Sequence, residues 1–153
     1  MKTNILVPID FSGVTAPVLR EAATLADVFD AKLWLIHVAP PDPEFVGFDA
    51  GPQMVRELIA AEIRRAKSRL ERYQRLLAEN GLESEALVVS GQIADKVLEK
   101  AEELDVDRIV LGSHGRGALY QMLVGSVCER VLRRAHCSVV VVPDPARRKK
   151  RPR

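Results

Sequence analysis

At 153 residues, 47% hydrophobic and 29% charged, the chain suffices for one domain that buries about two-thirds of the surface its unfolded form would expose. No apolar run approaches the roughly 20 residues that cross a bilayer, and MKTNILVPID reaches Asp10 too early for the apolar core of a secretory leader, which predicts a soluble, cytoplasmic protein. The net charge of +2 conceals a split: the final RRKKRPR, Arg147 to Arg153, carries six positive charges, leaving 17 basic against 21 acidic residues before it.

In chain order, Thr3 to Ile9 is a short apolar run ending at Asp10, and Pro8, which has no N–H, marks where its ladder breaks. Ser12 to Thr15 offer cap residues and Pro17 suits a first helical turn. Val18, Leu19, Ala22, Leu25, Ala26 and Phe29 then repeat at helical spacing. Lys32 to Ala39 is nearly continuous in apolar residues, as for a strand covered on both faces. Residues 40–52, with four prolines and two glycines, read as a flap in which Phe45 and Phe48 either stack on a base or pack beneath the loop.

From Gln53 to Asn80 the apolar positions step by three and four along a helix closed by Gly81. At about 1.5 Å per residue it runs to roughly 40 Å, so its amino end overhangs any sheet of ordinary strands. Glu85 to Ser90 is a third strand, followed by Gly91 and an amphipathic helix presenting Ile93, Val97, Ala101 and Leu104. Asp107 to Leu111 is the fourth strand, a last helix begins near Ser126, and Ser138 to Val142 is a fifth strand stopped by Pro143. This alternation predicts an α/β fold: a single Rossmann-like domain over 1–144, with a five-stranded parallel sheet of order 3-2-1-4-5 and helices on both faces. Residues 145–153 are then a basic, disordered tail. Such a tail is in principle a handle for nucleic acid or an anionic surface, but a solvated end is the favoured reading.

Ligands in such sheets bind beyond the carboxyl ends of the strands where the winding reverses, here between strands one and four. Asp10 and Gly112 meet there. Gly112 and Gly115 follow strand four, where a chain without Cβ turns sharply and brings its amides close to a ligand. Ser126-x-x-Glu129 reads as a capping box, with free amides and a positive dipole end that favour an anion. The insert from Arg116 to Val124 must fold back so that Gly125 returns beside Gly115, and Leu119, Met122 and Leu123 supply the apolar turn for it. Val139 to Val142 form an uncharged edge, which predicts a homodimer through strand five.

Gly112-x-x-Gly115, nine residues, then Gly125-Ser126 resembles the G-2x-G-9x-G-S/T signature of ATP-binding members of the universal stress protein family. The resemblance runs from ILVPIDFS through WLIHVAP and IVLGSHGRG to SVVVVP. It implies an adenine nucleotide alpha hydrolase-like domain, usually dimeric through strand five, that holds ATP, or AMP or ADP, with Mg2+ or Mn2+, and in some members hydrolyses it slowly. Carried over by position, Asp10 would contact the ribose or the metal end, through a bridging divalent ion, and Pro8 is a further nucleotide-binding position. Val38 would hold the adenine through its backbone, Leu111 and Gly112 the nucleoside side, and Gly115, Gly125, Ser126 and Val127 the phosphates.

Other phosphate sites fail on chemistry or position. No GxxxxGK[ST] is present, GxGxxG is absent, and no acidic pair with an aspartate ending strand three forms a phospho-receiver. Cys128 and Cys137 form neither CxxC nor a cluster with histidine, so a structural role is expected. His37 and His136 stand in or beside apolar runs and read as structural, and His114 reads as a neutral loop histidine. No dedicated catalytic residue is evident, so any ATP hydrolysis is expected to be slow, with Arg116 the single cation of the loop. Two rivals are a nucleotide hydrolase using His114 and Arg116, and an interaction module whose long helix and tail recruit a partner.

Overall fold

The computed structural model describes residues 2–41, 52–113 and 124–145. Their elements are β1 (Asn4–Pro8), α1 (Thr15–Phe29), β2 (Lys32–Ala39), α2 (Pro52–Glu79), β3 (Ser84–Ser90), α3 (Ile93–Glu103), β4 (Arg108–Gly112), α4 (Ser126–Arg134) and β5 (Ser138–Val142). The five strands pair in parallel in the order β3-β2-β1-β4-β5, the order expected from right-handed crossovers on both sides of β1.

Alternate residues of each central strand enter opposite cores, which is why the strands read as unbroken apolar runs. Ile5, Val7, Leu33, Leu35 and Val110 pack with Val18 and Ala22 of α1 and Leu70 and Leu77 of α2. Leu6, Ile36, Val38, Ile109 and Leu111 pack on the other side with Val97 of α3 and Cys128 and Val131 of α4. The helices therefore divide two and two between the faces.

The strand boundaries moved by one residue at β4, which starts at Arg108. Asp107 is instead a clasp: its carboxylate accepts the Asn4 N–H at 2.8 Å, and its own N–H donates to the Asn4 carbonyl at 2.9 Å. At the carboxyl end of α2, the Gly81 N–H donates to the Ala78 carbonyl and the Leu82 N–H to that of Leu77, at 2.9 and 3.0 Å. Gly81 takes the left-handed conformation at φ 76°, so this is a Schellman closure that a residue with Cβ would enter only under strain.

The overhang of α2 follows from length. Its buried residues are Ala66, Leu70 and Leu77, all in its second half, while Met54 and Leu58 near its start are 66% and 61% exposed. Only the second half of α2 therefore contributes core burial. Leu70→Ala should cost about 2–5 kcal/mol by loss of burial and creation of a cavity. Leu58→Ala should change stability by less than about 0.5 kcal/mol; urea denaturation of the two variants compares them directly.

Candidate functional site

At the carboxyl ends of the strands the sheet opens at its centre. β1 pairs with β2 as far as Pro8, opposite Ile36, but its pairing with β4 covers only Ile5–Arg108 and Leu6–Ile109. Pro8 has no N–H to carry the ladder further. The rims of β1 and β4 thus leave a crevice where the winding reverses.

Asp10 stands on the β1 side of this crevice. Its Oδ1 accepts the N–H of Ser12 at 2.9 Å and lies 3.5 Å from the Thr15 hydroxyl at the start of α1. Val14, the residue preceding α1, offers no side-chain cap, so the carboxylate of Asp10 orders the turn into the helix in its place. Phe11 next to it is one of three non-glycine residues with positive φ among those described, at 59°. The ring of Phe11 lies 4.7 Å from that of His37, and the His37 Nδ1 is 2.7 Å from the Ile9 carbonyl. Because a carbonyl only accepts, Nδ1 carries the proton. His37 is structural, as its place in an apolar strand predicts.

Across the crevice, Gly112 is the last residue of β4, paired with Val142. The chain leaves through buried Ser113, whose N–H donates to the Val142 carbonyl at 2.8 Å, and it returns when the Gly125 N–H donates to the Ser113 carbonyl at 2.7 Å. The excursion is closed at its base, as the spacing of the glycines requires. Gly115, His114, Arg116 and the apolar residues Leu119, Met122 and Leu123 lie outside the described residues, as do Phe45, Phe48 and the tail from 146.

Two expectations are corrected here. Gly112 ends a strand and Gly125 has φ −73° and ψ 160°, extended conformations open to any residue, so backbone freedom is not what calls for glycine at either position. Nor does Ser126-x-x-Glu129 form a capping box. Gly125 is the N-cap, its carbonyl accepting the Glu129 N–H at 2.9 Å, and Ser126 is already the first helical residue, with no side chain among the described residues capping the end. The Glu129 carboxylate instead takes Arg133 one turn on, at 2.8 Å. The capping box fails because it needs its serine one position earlier. Among the described residues, no side chain takes the first-turn amides of α4, which suits a helix end to an anion.

Of the residues singled out from sequence, Val38 and Leu111 are buried and Val127 partly buried in the core shared with α3 and α4, Ser126 is exposed, and Pro8, Asp10, Gly112 and Gly125 border the crevice. Asp10 faces a second compartment as well: a cleft of about 440 Å³ between Asp10, Phe11 and His37 on one side and Leu58, Glu62, Arg65, Ala66 and Arg69 of α2 on the other. Arg69 sets its guanidinium carbon 4.0 Å from the centre of the Phe11 ring. Among the described residues, Glu62, Arg65 and Arg69 form no ion pair. Sequence reading missed these arginines, although Leu58, Glu62, Arg65 and Arg69 are spaced as one helical stripe on the helix already expected to overhang.

Burial raises the thiol pKa of both Cys128 and Cys137, so neither is a thiolate nucleophile at neutral pH. His136 is not structural: its side chain is 85% exposed, 3.9 Å from Glu102, because the chain turns outward between α4 and β5. Among the described residues, no three His, Cys, Asp or Glu side chains converge as a metal cage would require, and no helix is long and apolar enough to cross a membrane.

Residues 1–143 match the model of the universal stress protein family. A universal stress protein of Methanocaldococcus jannaschii is 34% identical over 144 residues, covering 93% of this chain and 82% of its own. Among solved structures, the universal stress protein UspA of Lactobacillus plantarum superposes with a TM-score of 0.82 at 28% identity, over 92% of this chain and 97% of the other. A universal stress protein of Archaeoglobus fulgidus, solved in complex with dAMP, gives a TM-score of 0.62 at 21% identity, over 92% and 97% of the two chains, a likeness of fold.

The Asp10 turn makes a structural prediction separable from any ligand. Asp10→Ala should lose about 1 kcal/mol through the unsatisfied Ser12 amide and the weakened start of α1, whereas Asp10→Asn, which keeps an acceptor oxygen, should lose less than half of that. Guanidinium denaturation measures both.

Proposed function

Since the chain belongs to the universal stress protein family, we propose that it is an ATP-binding member acting in stress response or signalling in the cytoplasm. The observation that carries this reading is the bond from the Gly125 N–H to the Ser113 carbonyl. It sets the start of α4 beside the end of β4, across a crevice from Asp10. Amides at a helix end, next to a sheet rim where the winding reverses, suit a phosphate chain. On this reading Gly115, Gly125, Ser126 and Val127 hold the phosphates, while Pro8, Asp10, Leu111 and Gly112 border the nucleoside and the Val38 backbone meets the adenine. Glycine is then needed at 112 and 125 for close approach of the ligand, since neither backbone conformation demands it. The dAMP carried by the A. fulgidus neighbour is in keeping with an adenine nucleotide.

A single carboxylate suits Mg2+ or Mn2+ held mainly by phosphate oxygens, with Asp10 as its one protein ligand. Such an ion would neutralise phosphate charge. Its role would be in binding, with Asp10 committed to the Ser12 N–H and the ion, and on this reading any hydrolysis is slow. The hydrolase alternative depends on His114 and Arg116, and turnover unchanged in His114→Ala would remove it.

The protein also acts, on this reading, as a homodimer joined through β5. Among the described residues that strand has one partner, β4, and Val139, Val140 and Val141 are only half-buried in the single chain, an edge whose backbone groups and valines gain from a second copy.

Mass spectrometry of small molecules released from the purified protein should detect an adenine nucleotide, and calorimetry should measure ATP binding. Gly125→Leu should reduce that affinity at least a hundredfold while costing about 1 kcal/mol of stability, because leucine tolerates this backbone but fills the approach. No released nucleotide, together with no ATP binding at millimolar concentration, would reject the proposal. For the dimer, sedimentation should give twice the chain mass of 17.0 kDa, and Val141→Lys should shift it to the monomer.

A further inference from the structure

We infer that Arg69 is a positioning residue for Asp10, acting through the ring of Phe11, so that the overhanging helix α2 governs the rim of β1 from which the nucleotide is held. The bearing of this on ligand affinity rests on the nucleotide-binding reading; its bearing on the Asp10 turn does not.

Asp10 is held between two unlike neighbours. On its amino side the backbone is secured twice: the Ile9 N–H donates to the Ile36 carbonyl at 2.8 Å, and the Ile9 carbonyl accepts from His37 at 2.7 Å. On its carboxyl side Phe11 occupies the left-handed region at φ 59°, a conformation that a residue with a bulky side chain enters only when its surroundings compensate. The strain has a use. The turn at Phe11 brings the Ser12 N–H back to within 2.9 Å of the Asp10 Oδ1, which holds the carboxylate in one direction.

Three side chains compensate the strain. The Phe11 ring is tilted at 36° to His37 with centroids 4.7 Å apart, lies nearly parallel to Tyr73 at 6.4 Å, and carries the Arg69 guanidinium at 4.0 Å. Such contacts are individually modest and act together. Two of the three partners, Arg69 and Tyr73, stand one turn apart on α2. Arg69 has no carboxylate competing for it among the described residues, and although it covers the Phe11 ring it is an exposed residue of α2, so its loss does not disturb the core. Leu70 next to it carries the packing of α2, and that division lets the clamp be removed without unfolding the helix.

The test is amide hydrogen exchange by NMR on the whole protein, reading Ser12 against β2 core amides as the control for global stability, with ATP affinity measured on the same samples. Arg69→Met keeps the apolar stem and removes the cation. It should speed exchange at Ser12 about threefold and weaken ATP to a similar extent, as expected for one cation–π contact near the surface, with core amides unchanged. Arg69→Lys should restore most of both. Phe11→Ala, which keeps a Cβ in the left-handed region without the ring, should speed Ser12 exchange more than tenfold. An unchanged Ser12 rate in Arg69→Met overturns the inference, even if ATP affinity falls, because Arg69 would then touch the ligand directly. If Ser12 responds while the unmodified protein binds no ATP, the positioning role stands and the nucleotide-binding reading falls.

Discussion

The amino-terminal end of the sheet is tied by one residue, Asn4, through its backbone and its side chain, and the geometry of the far rim depends on it. Asn4 exchanges hydrogen bonds with Asp107 before β4, accepts the indole N–H of Trp34 from β2 at 3.0 Å, and donates to the Leu104 carbonyl after α3 at 3.3 Å. Three strands and one helix end are thereby registered at one level. A parallel sheet has no tight turns to set its register, so long crossovers need such a clasp. With the bottom secured, Pro8 allows β1 and β4 to part at the top, and what separates there is decided by residues counted up from Asn4.

The two ends of the sheet consequently have different energetics. Near the clasp, the central strands are buried on both faces and supply most of the stability. At the rim, Asp10, Phe11 and the start of α4 bring together a left-handed residue, helix-end amides and charged neighbours. Regions of this kind contribute little burial and open at low free-energy cost, and they are where binding groups can be held in conformations that a core would not tolerate. The helix α2 spans both regimes, packing through Leu70 and Leu77 and reaching beyond the sheet with Arg65 and Arg69.

Ion pairs play a smaller part. Lys2, Lys32, Glu83 and Glu85 link β2, β3 and the start of β1 at 2.5 to 3.8 Å, and Lys2 depresses the Glu83 pKa. The carboxylates are half exposed, so the pairs are weak and screened by salt. Arg134 and Asp95 join α4 to α3 in the same way at 2.6 Å. These pairs trim the surface around a framework that burial has already specified.

How much of this was legible in one dimension depends on the range of each interaction. Apolar runs at period two and stripes at period 3.6 are local, so the sequence by itself determined the order of elements, the parallel sheet with its switch point, the overhang of α2 and the closure at Gly81. The return of the chain at Gly125 to the end of β4 was likewise readable, because the glycines at 112 and 125 bracket an excursion from one strand. The state of Phe11 and the partnership of Arg69 with its ring were decided only by the tertiary structure, since 58 residues of chain separate them and neither has a local signature. The capping serine failed for a related reason: a one-residue shift in the start of α4, fixed by the bond between Gly125 and Ser113, moved Ser126 from the cap into the helix. Periodicity records which face of an element is buried, whereas which side chains meet at the rim depends on how separately formed elements are brought together.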